Sequence, residues 1–205
     1  AAMLMNTNME EFMQLTVRQQ EIIDAALALI AEQGIQNLTI KNIAAALKIT
    51  EPAIYRHFDS KFAILDALLD SFDHGSVSVL ADSAANQRSP LERIEAFVLD
   101  RYRRVKERPY LSKVMFSGEL FLFDERLSGK MLAMMHRHKT RISALIEEGQ
   151  ARGEIRNDVS PHSLCRMIFG SLRLLIYQWG MSGYRFDLPA EGLELWQDLR
   201  KMLRK

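Results

Sequence analysis

The stretch Thr50 to Phe58, TEPAIYRHF, sets a proline in the middle of a chain that otherwise reads as helix. A helix start accommodates it, because in the first turn the N–H that Pro52 lacks would have had no partner. Thr50 suits the N-cap position, its hydroxyl accepting from an orphan backbone N–H. The spacing predicts a short helix of about two turns. Ile54 and Phe58 share one face, while Tyr55, Arg56 and His57 point elsewhere. A helix this short has no stability of its own. It is expected to be presented by a scaffold.

The scaffold reads as all-α. Of 205 residues, 48% are hydrophobic and only 10 are Gly and 5 Pro, which leaves ample material for a core and little for long loops. Thr16 and Gln19 stand in capping-box spacing before an apolar repeat at Ile23, Ala26, Leu27 and Ile30, and Gly34 offers a left-handed cap. Thr39 caps a second helix with Ile43, Ala44 and Leu47 on one face. After the TEPAIYRHF helix, Ser60 opens a long one with Ile64, Leu65, Leu68, Leu69 and Phe72 as its stripe. Ser89-Pro90-Leu91-Glu92 is a strong start signal, and Pro109 ends the helix it opens. A Met- and Phe-rich stretch follows from Tyr110 to Phe123. A long helix is predicted from Leu127 to Gln150, another from Ser160-Pro161 to Trp179, and a last one from Pro189. The expectation is about nine helices, with no internal repeat.

Composition excludes several classes. No apolar run approaches the ~18 residues of a membrane span, and the opening AAMLMNTNMEEFM lacks the pattern of a secretory signal. Residues 1–15 read as a cloning remnant and a disordered arm. The single Cys165 excludes an internal disulfide and suits a cytoplasmic location. His136 and His138 diverge on a helix and cannot share an ion. No phosphate loop, nucleophile elbow or paired-carboxylate signature is present, so no metal, cofactor or catalysis is expected.

Two short helices joined by the turn LKIT, the second presented outward, make a helix-turn-helix. Ile49 reads as the buried turn residue and Ala44 as the small residue at the crossing. In such motifs the second helix enters the major groove of double-stranded DNA with its N-terminal residues over base edges. Here those are Thr50, Glu51, Pro52 and Ala53, with Tyr55, His57 and Lys61 where phosphates pass. Glu51 either accepts from a cytosine amino group or favours the helix N-terminus. Arg56 faces either a phosphate or solvent. Residues 18–61 hold five Lys/Arg against five Asp/Glu. Binding therefore rests on local placement rather than net charge, and on two linked copies rather than one.

The run LTIKNIAAALKITEPAIYRHFDSKFAIL resembles the TetR family of one-component bacterial regulators, through Thr39, Ile43-Ala44, Tyr55, His57-Phe58, Lys61 and Leu65 at the family's spacings. The likeness spans residues 18–70. One departure stands out, for the family's usual turn Gly is here Lys48. A left-handed residue there carries strain, and in exchange an ammonium is offered to the DNA backbone. The resemblance implies phosphate contacts by Thr39, Tyr55, His57 and Lys61, with packing or capping as each residue's plain alternative. It implies a helix-turn-helix domain at 16–62 and a ligand-binding and dimerisation domain at 63–205.

The family's last two helices build an intersubunit bundle. The stripes Leu164, Ile168, Leu172, Leu175, Trp179 and Trp196, Leu199, Leu203 are the candidates here, unless they face their own core. The soft residues Met115, Phe116, Phe121, Met134 and Met135 are candidates for an apolar pocket. Arg101, Tyr102, His138 and Arg173 are its candidate polar anchors. The expected function is a homodimeric repressor released from a palindromic operator by a small lipophilic effector. The rival is a helical carrier or sensor of an apolar ligand whose helix-turn-helix has lost DNA binding.

Overall fold

The computed structural model describes the backbone of residues 15–85, 88–115 and 124–205, and their side chains except at 74–78, 80–85 and 115. Among the described residues there are nine α-helices, and extended pairing is limited to one bridge between Ile155 and Arg204. The chain divides into two compact units, residues 1–72 and 73–205.

In the first unit, α1 (Val17–Gln33) opens with the expected capping box. Thr16 Oγ1 accepts from the Gln19 N–H at 3.2 Å, and Gln19 reaches back to the Thr16 N–H at 3.0 Å. The helix stops at Gly34, but φ 84° with ψ 164° is the mirror image of extended backbone rather than a left-handed cap. A 3-10 turn (Ile35–Asn37) then leads to α2 (Ile40–Leu47), capped by Thr39 through the Asn42 N–H at 3.0 Å. Lys48 closes α2 at φ 54°, ψ 42°. The Ile49 N–H reaches Ala44 O at 3.0 Å and the Lys48 N–H reaches Ala45 O at 3.1 Å, the paired closure of a Schellman motif. Such backbone costs a side-chain-bearing residue about 1–2 kcal/mol relative to the right-handed region.

α3 is Glu51–Tyr55, five residues rather than two full turns. Thr50 sits at its N-cap in extended backbone, yet its hydroxyl makes no capping bond. The Ala53 N–H turns back to the Thr50 carbonyl instead, at 2.9 Å. Ile54 and Phe58 are buried, as the spacing predicts. α4 (Lys61–Ala85) is capped by Ser60, whose hydroxyl accepts from Ala63 at 3.1 Å. It buries Ile64, Leu65, Leu68 and Leu69, while Phe72 is half-buried.

The second unit is organised around α5 (Pro90–Glu107), which opens with a Ser89/Glu92 capping box and packs on α7 (Glu125–Ala151) and α9 (Leu188–Leu203). α6 (Tyr110–Met115) and α8 (Pro161–Met181) complete it, α8 lying against α7 and α9. α7 begins two residues before the expected Leu127, because Asp124 accepts from the Arg126 N–H at 3.0 Å and starts the helix there. Asp187 does the same for α9, which leaves Pro189 at its second position. The core joins Phe97, Tyr102, Ile142, Ile168, Trp179 and Trp196. Gly192 lets α9 close on the Tyr102 ring, where a Cβ would stand 2.2 Å from the nearest ring carbon.

Candidate nucleic-acid interface and effector core

The candidate DNA-facing surface is built on two apolar anchors. Ile54, fully buried, and Phe58 turn inward, so the opposite side of α3 is left to solvent. Glu51, Pro52 and Arg56 are exposed on it, Tyr55 is 51% exposed, and Ala53 and His57 are half-buried. The α1 side chain Gln19 donates to the His57 carbonyl at 3.5 Å and ties the end of α3 to the start of the domain. Thr39 and Lys61 are exposed at the N-termini of α2 and α4, and Thr50 and Lys48 flank the turn. All nine candidate residues for DNA thus belong to one unit. The uncapped Thr50 hydroxyl is available to a phosphate. Thr39 Oγ1 accepts from Asn42 and can still donate outward. Lys41, exposed one residue into α2, went unremarked in the sequence because nothing in its neighbours marks it.

The candidate effector residues separate. Arg101, Tyr102, Met134 and His138 are buried. Met135 is 47% exposed and Arg173 is exposed, both on outward helix faces. The Met115 side chain, Phe116 and Phe121 lie outside the described residues. Around Phe97 the buried polar groups converge. The Arg101 guanidinium carbon lies 5.1 Å from the centre of the Phe97 ring, and His138 meets the same ring edge-on at 5.7 Å. His138 Nε2 is 2.8 Å from Asp73 Oδ1, and Arg137 binds the other oxygen of that carboxylate through Nε at 3.1 Å and through Nη2.

Burial, reinforced by the Arg101 charge, pushes His138 down to about 4 despite the opposing pull of Asp73. Burial also lowers Arg101 to about 10, which leaves it a cation at neutral pH. The result is a neutral imidazole and a guanidinium among aromatic rings.

The candidate dimer stripes lie mostly inside the subunit. Leu164, Ile168, Leu172, Trp179, Trp196 and Leu203 are buried in its own core, and Leu175 and Leu199 are partly buried against it. The outward face of α8 carries Met167, Leu174, Tyr177 and Met181, and that of α9 Leu193 and Met202. Between the two helices runs an open groove floored by Leu174, Leu175 and Leu195 and edged by Glu191, Glu194 and Asp198. Cys165 is buried against the Lys139 carbonyl, and burial raises its thiol. Among the described residues no cluster of His, Cys, Asp and Glu could hold a metal ion, and no helix is long and apolar enough to cross a membrane.

Comparison with known proteins agrees with this geometry. Residues 22–68 match the bacterial regulatory proteins of the tetR family, and residues 74–200 match the C-terminal region of YsiA-like proteins. The chain belongs to the tetR family and is a DNA-binding transcriptional regulator. It is 25% identical over 187 residues to the nucleoid occlusion factor SlmA of Idiomarina loihiensis, covering 91% of this chain and 95% of that protein. In fold it resembles the fatty acid degradation regulator FadR of Bacillus halodurans, with TM-score 0.79 and 22% identity over 91% of this chain and 96% of that one. It also resembles FadR of Bacillus subtilis in complex with stearoyl-CoA, with TM-score 0.74 and 21% identity over 88% and 96% of the respective chains.

The buried imidazole has a consequence for stability. Its folded pKa of about 4 lies below the ordinary 6.5, so protonation favours the unfolded chain. The contribution is fully present above pH ~6.5 and is lost as the pH falls towards ~4, about 3 kcal/mol over the whole window. The charges facing His138 are Asp73 of α4, Arg101 of α5 and Arg141 of α7. His138→Leu removes the titration but keeps the packing, and its melting temperature is expected to fall less steeply with acid than that of the native chain. Parallel profiles would contradict the assignment.

Proposed function

We propose that the chain is a homodimeric repressor that acts in the cytoplasm on a two-fold-symmetric operator and leaves it when a largely apolar effector binds the second unit. The observation that carries this reading is the outward face of α3, which holds Tyr55 and Arg56 exposed over the buried anchors Ile54 and Phe58. Thr50 to Ala53 enter the major groove, while Thr39, Tyr55, His57 and Lys61 meet flanking phosphates. Membership of a regulatory family supports a role without catalysis.

The effector reading is supported by the Arg101 guanidinium against the Phe97 ring and by the likeness to a FadR that binds stearoyl-CoA. An acyl thioester, apolar along its length and polar at its head, fits that chemistry. Release follows from linkage: an effector that prefers a conformation unable to span the operator must weaken DNA binding by the same factor. Equal affinity for free and DNA-bound protein would exclude this mechanism for any given effector.

A second reading draws on the likeness to SlmA, a nucleoid occlusion factor. Under it the protein's DNA binding serves nucleoid occlusion instead of the control of an operator. Mapping of occupied sites in cells separates the two.

Dimerisation uses the outward residues of α8 and α9 rather than the buried stripes. Leu174→Glu, at a position 56% exposed, is expected to give a folded monomer by light scattering. Its DNA affinity falls about 100-fold or more as the two half-sites lose their linkage. A Leu174→Glu dimer with native affinity would place the interface elsewhere. At the recognition surface, Tyr55→Ala and Lys61→Ala should each weaken binding, and Lys61→Ala should also reduce the slope of log affinity against log salt by about 0.9 per protomer. Native affinity in both variants would contradict the assigned face.

A further inference from the structure

Two described residues other than glycine hold left-handed backbone, Lys48 at φ 54° and Tyr184 at φ 65°. Their situations differ. The Tyr184 ring lies 4.7 Å from that of Trp179 and packs on the buried core, so its strain is offset by burial. Lys48 has no such compensation. Its side chain is exposed, and its ammonium makes no hydrogen bond or ion pair with any described residue. Glycine would serve the turn at lower cost, as it does at Gly153, φ 73°, and Gly183, φ 70°. A strained residue whose charged end has no polar partner among the described residues points to a contact outside the chain.

The position says where. Lys48 stands two residues before Thr50, in the turn that leads into α3. If the N-terminus of α3 enters the groove, this turn passes the phosphates at the groove edge, and a flexible four-carbon stem spans the remaining gap. The DNA-binding unit has little cationic charge to spare, with five Lys/Arg against five Asp/Glu over residues 18–61. Lys48 is one of those five, so where its ammonium stands matters.

We infer that Lys48 is a phosphate-contacting residue of the DNA interface and that the turn retains left-handed strain, at the expense of stability, to keep that ammonium in place. The inference rests on the reading of α3 as the recognition helix. Its test separates charge from strain. Lys48→Met keeps the strain and removes the charge, Lys48→Gly removes both, and Lys48→Arg keeps both.

Each variant is melted, and each is titrated against a labelled duplex that the native protein selects from random-sequence DNA, from about 50 to about 200 mM salt. Lys48→Gly is expected to melt about 2–4 °C higher, while Lys48→Met melts with the native chain. Both should bind severalfold more weakly at low salt, with a salt slope smaller by about 0.9 per protomer. Lys48→Arg should retain affinity and slope. Native affinity and slope in Lys48→Met, beside weakened binding in Tyr55→Ala, would overturn the phosphate contact alone. Native binding in both would overturn the recognition-helix reading with it. A Lys48→Gly that melts no higher than the native chain would overturn the trade of stability for affinity.

Discussion

The burial of Ile54 and Phe58 is the interaction on which the DNA-facing half of the molecule depends. A helix of five residues has no independent stability. Removing two large side chains from water contributes about 1.5–3 kcal/mol each, and the helix packs on α2. Because the anchors lie on one face, Tyr55 and Arg56 on the other are left to solvent. Tyr55 and Arg56 are exposed on a helix whose position is set by the buried anchors and not by them. The Gln19 bond to the His57 carbonyl fixes the end of the helix in the same way, through the main chain. Recognition residues can therefore change without loss of the fold.

The second unit has a different economy. Its centre is not purely apolar, since Arg101, His138 and Asp73 are gathered around Phe97. Asp73 belongs to α4, whose first turns lie in the DNA-binding unit, and its partners Arg137 and His138 belong to α7. Under the proposed release, a ligand group that displaced His138 would change the surroundings of the Asp73 carboxylate. This gives the proposed release a physical route: a polar contact made or broken inside an apolar core, where such contacts are strong.

Local chemistry was the legible part of the sequence. The capping boxes at Thr16/Gln19 and Ser89/Glu92 and the cap at Thr39 are set by residues three apart, and each is found as spelled. Thr50 shows the limit, because a residue suited to capping occupies the site without making the bond. Asp124 and Asp187 carry no such mark, because proline and apolar periodicity place the boundaries elsewhere. Periodicity also finds a stripe without saying what covers it. Leu164, Ile168 and Leu172 share α8 with Met167, Leu174 and Met181, and only the packed structure separates the inward set from the outward one. The Asp73–Arg137 contact joins residues 64 apart, beyond any local pattern. Lys48 stands out in the sequence as a departure from glycine, and its backbone is left-handed.

The most direct test of the central claim is selection of bound fragments from random-sequence DNA by the purified protein, followed by sequencing. A dimer that presents two copies of α3 should enrich one palindromic motif with half-site centres about one helical turn, ~34 Å, apart. Binding should fall steeply with salt. Enrichment of no sequence, with binding held at the non-specific level, would contradict the assignment of the α3 face as a recognition surface.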